Sequence, residues 1–127
     1  MVRVIVAATP GPDVFAEPST ISMPVRDGRP LGDFTLARLK AANLGPITLC
    51  IMGHSTELAE LAAHHGIEHV SGGSFGELAT ATLARHGDDT AILVDGRAGL
   101  ISPTVLRAQL ARHVASGAKL TFAPFAA

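Results

Sequence analysis

Short runs of β-branched and aliphatic residues alternate along this chain with segments of helical period, and that alternation constrains the fold more than any other feature. Val2–Ala8 is an almost unbroken apolar run, and Ile47–Met52 is another. Such runs read as strands buried on both faces, as in a parallel sheet covered by helices. Residues 67–70 and Thr90–Asp95 are read as two more strands, and residues 119–123 as a last one. Between them, residues 31–44 form a helix, with Asp33 able to cap it, Phe34, Ala37, Ala41 and Leu44 on one face, and Gly45-Pro46 as its stop. Gly53-His54-Ser55 turns into a second helix that runs to His65, with Leu58, Leu61 and Ala62 inward and Gly66 as C-cap. Ser71-Gly72-Gly73 is read as a flexible loop. Ser74-Phe75-Gly76-Glu77 fits a capping box that opens a third helix, ended by Gly87. Ser102-Pro103 opens the last helix, with Leu106, Leu110 and Val114 inward and Gly117 as its stop. Residues 9–30 carry prolines at 10, 12, 18, 24 and 30 and are expected to be a long loop without regular pairing.

This order predicts an α/β fold: three αβα layers around a mainly parallel, Rossmann-like sheet. A single domain over residues 1–127 is expected. Ligands of such sheets bind at the carboxyl ends of the strands. The loops that matter are therefore 9–30, 53–55, 71–76 and 95–102.

Composition removes several classes of function. Apolar residues make up 47% and charged residues 17%, which excludes a disordered chain. A net charge of −1 offers no basic footprint for nucleic acid or an anionic membrane. Aromatics are only 4%, with no Trp and no Tyr, so stacking platforms are nearly absent. The single cysteine, Cys50, has no internal disulfide partner and reads as a buried, inert thiol. No apolar run reaches membrane-spanning length, and the first strand is too short for a signal peptide. A cytoplasmic protein is expected.

Few residues offer chemistry. The loop after the first strand has Gly11 but no glycine-rich phosphate motif, and Pro10 and Pro12 remove amide donors. His64, His65 and His69 lie close together with His54 in a nearby turn. Gly66 breaks their helical spacing, which favours solvated or structural histidines over a metal site. Asp88-Asp89 reads as a turn pair. Asp95, at the end of a strand, is placed to hold a cation or a hydroxyl. Acceptance of amides in its own turn is the simpler role and is preferred. Ser55, Ser74 and Ser102 fall at helix caps, and no nucleophile elbow is present.

Val4-Ile5-Val6-Ala7-Ala8 resembles the opening strand of the sugar-phosphate and related nucleotidyltransferases, the GT-A-like group that includes the molybdenum cofactor guanylyltransferases. Residues 24–31, Pro-Val-Arg-Asp-Gly-Arg-Pro-Leu, resemble the entry to that group's first helix. Residues 52–57 resemble the turn after its second strand, and residues 93–102 its metal-bearing turn. The likeness implies the first half of a GT-A-like nucleotidyltransferase, with the strand order third-second-first-fourth and the fifth near the fourth. It places Ala8, Thr9 and Gly11 at the nucleotide loop, Gly76 in the base-contacting loop and Asp95 as a ligand of magnesium in an active form.

The departures from that pattern weigh as much. Thr9 replaces a glycine, Pro10 and Pro12 interrupt the loop, and Asp13 falls where a basic residue is expected. Pro18-Ser19 lacks the lysine, Glu77 replaces a small polar residue, and Arg97 stands where the family has a carboxylate. Phosphoryl transfer needs fixed positive charge and a metal. The expectation is a catalytically degenerate binding or interaction module, with a nucleotide or small molecule as possible ligand. The alternative is an active NTP-dependent transferase of sugar-phosphate or cofactor type, completed by another subunit or domain. A homo-oligomer is expected, with Phe122 and Phe125 at the interface.

Overall fold

The computed structural model describes residues 2–9, 21, 24–96 and 102–116. Its centre is β1 (Val2–Ala8), in which Val4, Ile5 and Val6 are wholly buried. Strands β4 (Ile47–Met52), β5 (Glu68–Gly72) and β6 (Thr90–Asp95) join it in the order β5-β4-β1-β6, every neighbour parallel. This is the strand order expected from the sequence. Helices α1 (Leu31–Ala42) and α2 (Thr56–His64) cover one face, where Leu36, Leu39, Leu58 and Ala62 meet Val4, Val6, Leu49 and Ile51. Helix α3 (Phe75–His86) covers the other, over Ile5 and Cys50. Helix α4 (Pro103–Ser116) lies on the α1 face: Leu106 enters the same core, and Arg107 Nη1 donates to the Ala42 carbonyl at 3.1 Å. The expected strand at 119–123, the stop at Gly117 and the interface residues Phe122 and Phe125 lie outside the described residues.

Several local expectations are corrected. Part of the proline-rich stretch pairs after all: β2 (Pro24–Arg26) and β3 (Arg29–Pro30) form an antiparallel hairpin. Asp27 and Gly28 have φ of 54° and 72°, the two left-handed centres of a tight hairpin turn. The prolines sit at the ends of this ribbon, where no ladder donor is needed. Helix α1 ends at Ala42, with Asn43 left-handed at φ 51°. Its inward face is Gly32, Thr35, Leu36, Leu39 and Ala42, not the 34/37/41/44 stripe. Small residues win there because the helix lies close on its neighbours: a Cβ on Gly32 would come within 2.7 Å of Ile21. Pro30, not Asp33, is the N-cap of α1. Ser71 and Gly72 extend β5 instead of forming a loop, and Val114 is 66% exposed.

At the amino ends of the strands, Arg3 is buried beneath the end of α3. Its Nε donates to Asp88 Oδ2 at 2.5 Å and its Nη1 to Thr48 Oγ1 at 3.1 Å. Glu68 stands 3.8 Å from Nη1 and also binds Arg85 and His86. Asp88 is thus a buried counter-ion, its side chain 1% exposed, and not a solvated turn residue.

Candidate functional site

The carboxyl ends of the four strands lie side by side, and the turns leaving them form the candidate site. Ala7 pairs with Asp95 and Ala8 with Ile51, so the ends of β1, β4 and β6 are level. Met52 pairs with Gly72, which brings the end of β5 alongside. Adjacent strands are about 4.8 Å apart, so the edge spans about 14 Å from β5 to β6. Ala8 is buried at the end of β1, with exposed Thr9 following it. Asp95 is the exposed last residue of β6. Gly76 is exposed in the first turn of α3. The sheet brings Ala8, Thr9 and Asp95 together. Gly76 belongs to the β5 end of the edge, two strands from β1. Gly11 and Arg97 lie outside the described residues.

Hydrogen bonds set the shape of these turns. Gly53 N donates to Gly72 O at 2.7 Å, and Gly96 N to Ala7 O at 2.8 Å. Thr35 Oγ1, buried on α1, donates to Gly96 O at 2.8 Å. Ser55 Oγ accepts from Leu58 N at 3.1 Å, and Ser74 Oγ from Glu77 N at 3.4 Å, as expected of N-caps. Among the described residues, no three of His, Cys, Asp and Glu lie together as a metal set. Asp95 is the exposed carboxylate at the end of β6; a magnesium ion there, as the resemblance implies, would have to be held mainly by substrate oxygens. Burial pushes the Cys50 thiol up to about 11, so it is no nucleophile at neutral pH.

One constellation was not visible in the sequence. Asp33, 6% exposed, accepts from His65 Nε2 at 2.6 Å through Oδ1 and pairs with Arg29 through Oδ2. Arg29 also lies 4.4 Å over the Phe34 ring. The three residues tie the β2–β3 hairpin and the end of α2 to the start of α1. Beside them, a cleft of about 430 Å³ is lined by Arg29, Asp33, Glu57, Leu58, Leu61 and His64. Burial raises the Asp33 pKa, but the hydrogen bonds from His65 and Arg29 and the charge of Arg29 outweigh it and hold the carboxyl below its ordinary value. A depressed carboxylate contributes stability above its unfolded pKa, and that contribution disappears as pH falls through the folded value. Asp33→Asn is therefore expected to cost about 2 kcal/mol at pH 6. The gap from the parent should close below the ordinary carboxylate range. Urea unfolding of both proteins across the acid range checks this, and a gap independent of pH would contradict it.

A sheet of this order, with helices on both faces and its turns gathered at the carboxyl edge, is a Rossmann-like α/β arrangement, and its likeness to solved structures makes the fold nucleotidyltransferase-like. Solved structures agree. A cytidylyltransferase from Leptospira borgpetersenii serovar Hardjo-bovis superposes with a TM-score of 0.74 at 19% identity, over 90% of this chain and 49% of that one. A CMP:2-keto-3-deoxy-manno-octonic acid synthetase complexed with CTP also gives 0.74, at 14% identity, over 92% of this chain and 48% of that one. The chain thus spans about half the length of these structures. No protein-family model matches the sequence. No curated protein matches it either.

Proposed function

We propose that this chain is a non-catalytic relative of the NTP transferases whose carboxyl-edge crevice serves as a binding module for a small molecule or a partner. The observation that carries this is the combination of the fold with a depleted edge. Asp95 is the carboxylate at the end of β6, the described residues supply no metal set, and the sequence puts Arg97 where the resembling family has a carboxylate. Transfer of a nucleotidyl group needs a metal and preorganised cations around the phosphates. The active reading is the runner-up, favoured by the chain's spanning only about half of its structural neighbours. In that reading another subunit or domain supplies the missing groups, and Asp95 holds magnesium.

Thermal unfolding separates the two. A ligand at about 100 times its Kd adds about 2.7 kcal/mol to the folded state. A flat Tm is expected with CTP, UTP, ATP and GTP in the presence of magnesium. A clear rise with any of them would favour the transferase.

A further inference from the structure

We propose that the outer edge of β6 pairs with the same edge of a second copy of this chain, giving a two-fold dimer with one continuous sheet. The two edges of the sheet are built differently. β5 reads Glu-His-Val-Ser-Gly, with His69 and Ser71 exposed and Glu68 paired with Arg85 and His86. Polar and charged side chains of this kind keep an edge from pairing with another chain. β6 reads Thr-Ala-Ile-Leu-Val-Asp, with no proline and no interior charge. Its register with β1 runs unbroken from Thr90 to Asp95. Among the described residues β1 is its one neighbour, so the outer backbone groups of β6 form an undefended pairing template.

Apolar surface flanks that edge on both faces of the sheet. On the α3 face, Leu93 lies beside Ile5 and is 59% exposed, because α3 packs chiefly on β4, β5 and β1. On the other face, Val105 of α4 is 52% exposed. Arg107 marks the flank of α4 that meets α1, since it bonds the Ala42 carbonyl. Val105 lies about 200° from it around the helix, on the flank turned away from α1.

Topology keeps the chain's own continuation from this edge. α1 and α2 carry the chain from β1 to β4 and from β4 to β5, away from β6, on the face that α4 also covers. Crossovers keep one hand, so on one face they step in one direction. A parallel strand formed by residues 117–127 would belong toward β1, where β1 and β4 already have both neighbours. An antiparallel one would first use about six of those residues to cross back over the sheet, leaving too few to cover β6. A second copy has no such constraint. A two-fold axis normal to the sheet makes the two β6 strands antiparallel and keeps equivalent faces on the same side. With Leu93 opposite its mate, the two leucines cover each other. The edge is about 20 Å long and, with one helix layer, about 20 Å deep. Roughly 800 Å² would be buried in total, the size of a weak, reversible contact.

Sedimentation velocity of the full chain from about 1 to 300 μM tests this, with a monomer–dimer equilibrium expected at tens of micromolar. Leu93→Lys and Val105→Lys should each weaken the dimer about tenfold or more. Val114→Lys is the control: it is 66% exposed but two turns from Arg107, on the α1 flank, and should change nothing. All three positions are exposed, and circular dichroism confirms that the variants fold. Under mild oxidation Leu93→Cys should form a disulfide with its mate, while the native Cys50 is buried and stays out of the reaction. A monomer throughout the range overturns the inference. So does a dimer that neither lysine variant weakens, since it must use another surface.

Discussion

Arg3→Met is expected to lower stability by about 3–5 kcal/mol, the usual cost of removing one partner from a buried ion pair. The Arg3 and Asp88 side chains are 7% and 1% exposed, so water does not screen the loss. Without the guanidinium, no cation among the described residues pairs with the Asp88 carboxylate, and its Oδ1 already lacks a hydrogen-bond partner. Thr48 loses a donor and Glu68 a nearby cation as well. The melting temperature should fall by roughly 10 °C or more for a domain of this size. Urea unfolding followed by circular dichroism measures the effect. Replacing both partners with apolar residues, Arg3→Met with Asp88→Leu, should restore most of the loss, because no charge is then stranded. A single variant as stable as the parent would show that the pair is hydrated and unimportant.

Gly45→Ala should be nearly as damaging. Gly45 has φ +156°, a backbone region that side chains rarely enter, and an added Cβ would sit 2.3 Å from the Val2 carbonyl oxygen. Neither side can give way, because Val4 N is held to Pro46 O at 2.8 Å and fixes the start of β1 against this turn. Strain and overpacking together should cost about 3 kcal/mol or more. Gly66→Ala is the control: φ is +66°, but nothing lies within 4 Å of the new methyl. It should cost only about 1–2 kcal/mol. Equal losses at the two sites would mean that the contact with Val2 is relieved at no cost.

The centre of the sheet was legible in the sequence because β1 and β4 are nearly pure apolar runs, whereas the polar edge strand β5 was placed at 67–70 and not at its observed Glu68–Gly72. Helix starts were legible where a serine caps them, at Ser55, Ser74 and Ser102. The inward face of α1 was not, because apolar spacing pointed to Phe34 and Leu44 while close packing selected Gly32 and Thr35. The hairpin at 24–30 was hidden by its prolines, although Asp27-Gly28 carries the turn signal. In the site, Asp95 and the glycine turns followed from the rule that places ligands at strand ends. The pairings Arg3–Asp88 and Asp33–His65 join residues 85 and 32 positions apart. One sequence holds no record of which distant charges meet, so both stayed invisible until the fold brought them together.

The buried arginine and the candidate crevice occupy opposite ends of the same strands. Arg3 enters β1 at one end, and Ala8 leaves it at the other. A strand of this kind rises about 3.3 Å per residue, so these two positions are separated by roughly 16 Å. The buried charges that hold the sheet together are therefore set apart from the candidate crevice. The exposed turn residues His54, Gly73 and Gly76 can change with little risk to the core, so the chemistry of that edge can vary without first acquiring spare stability.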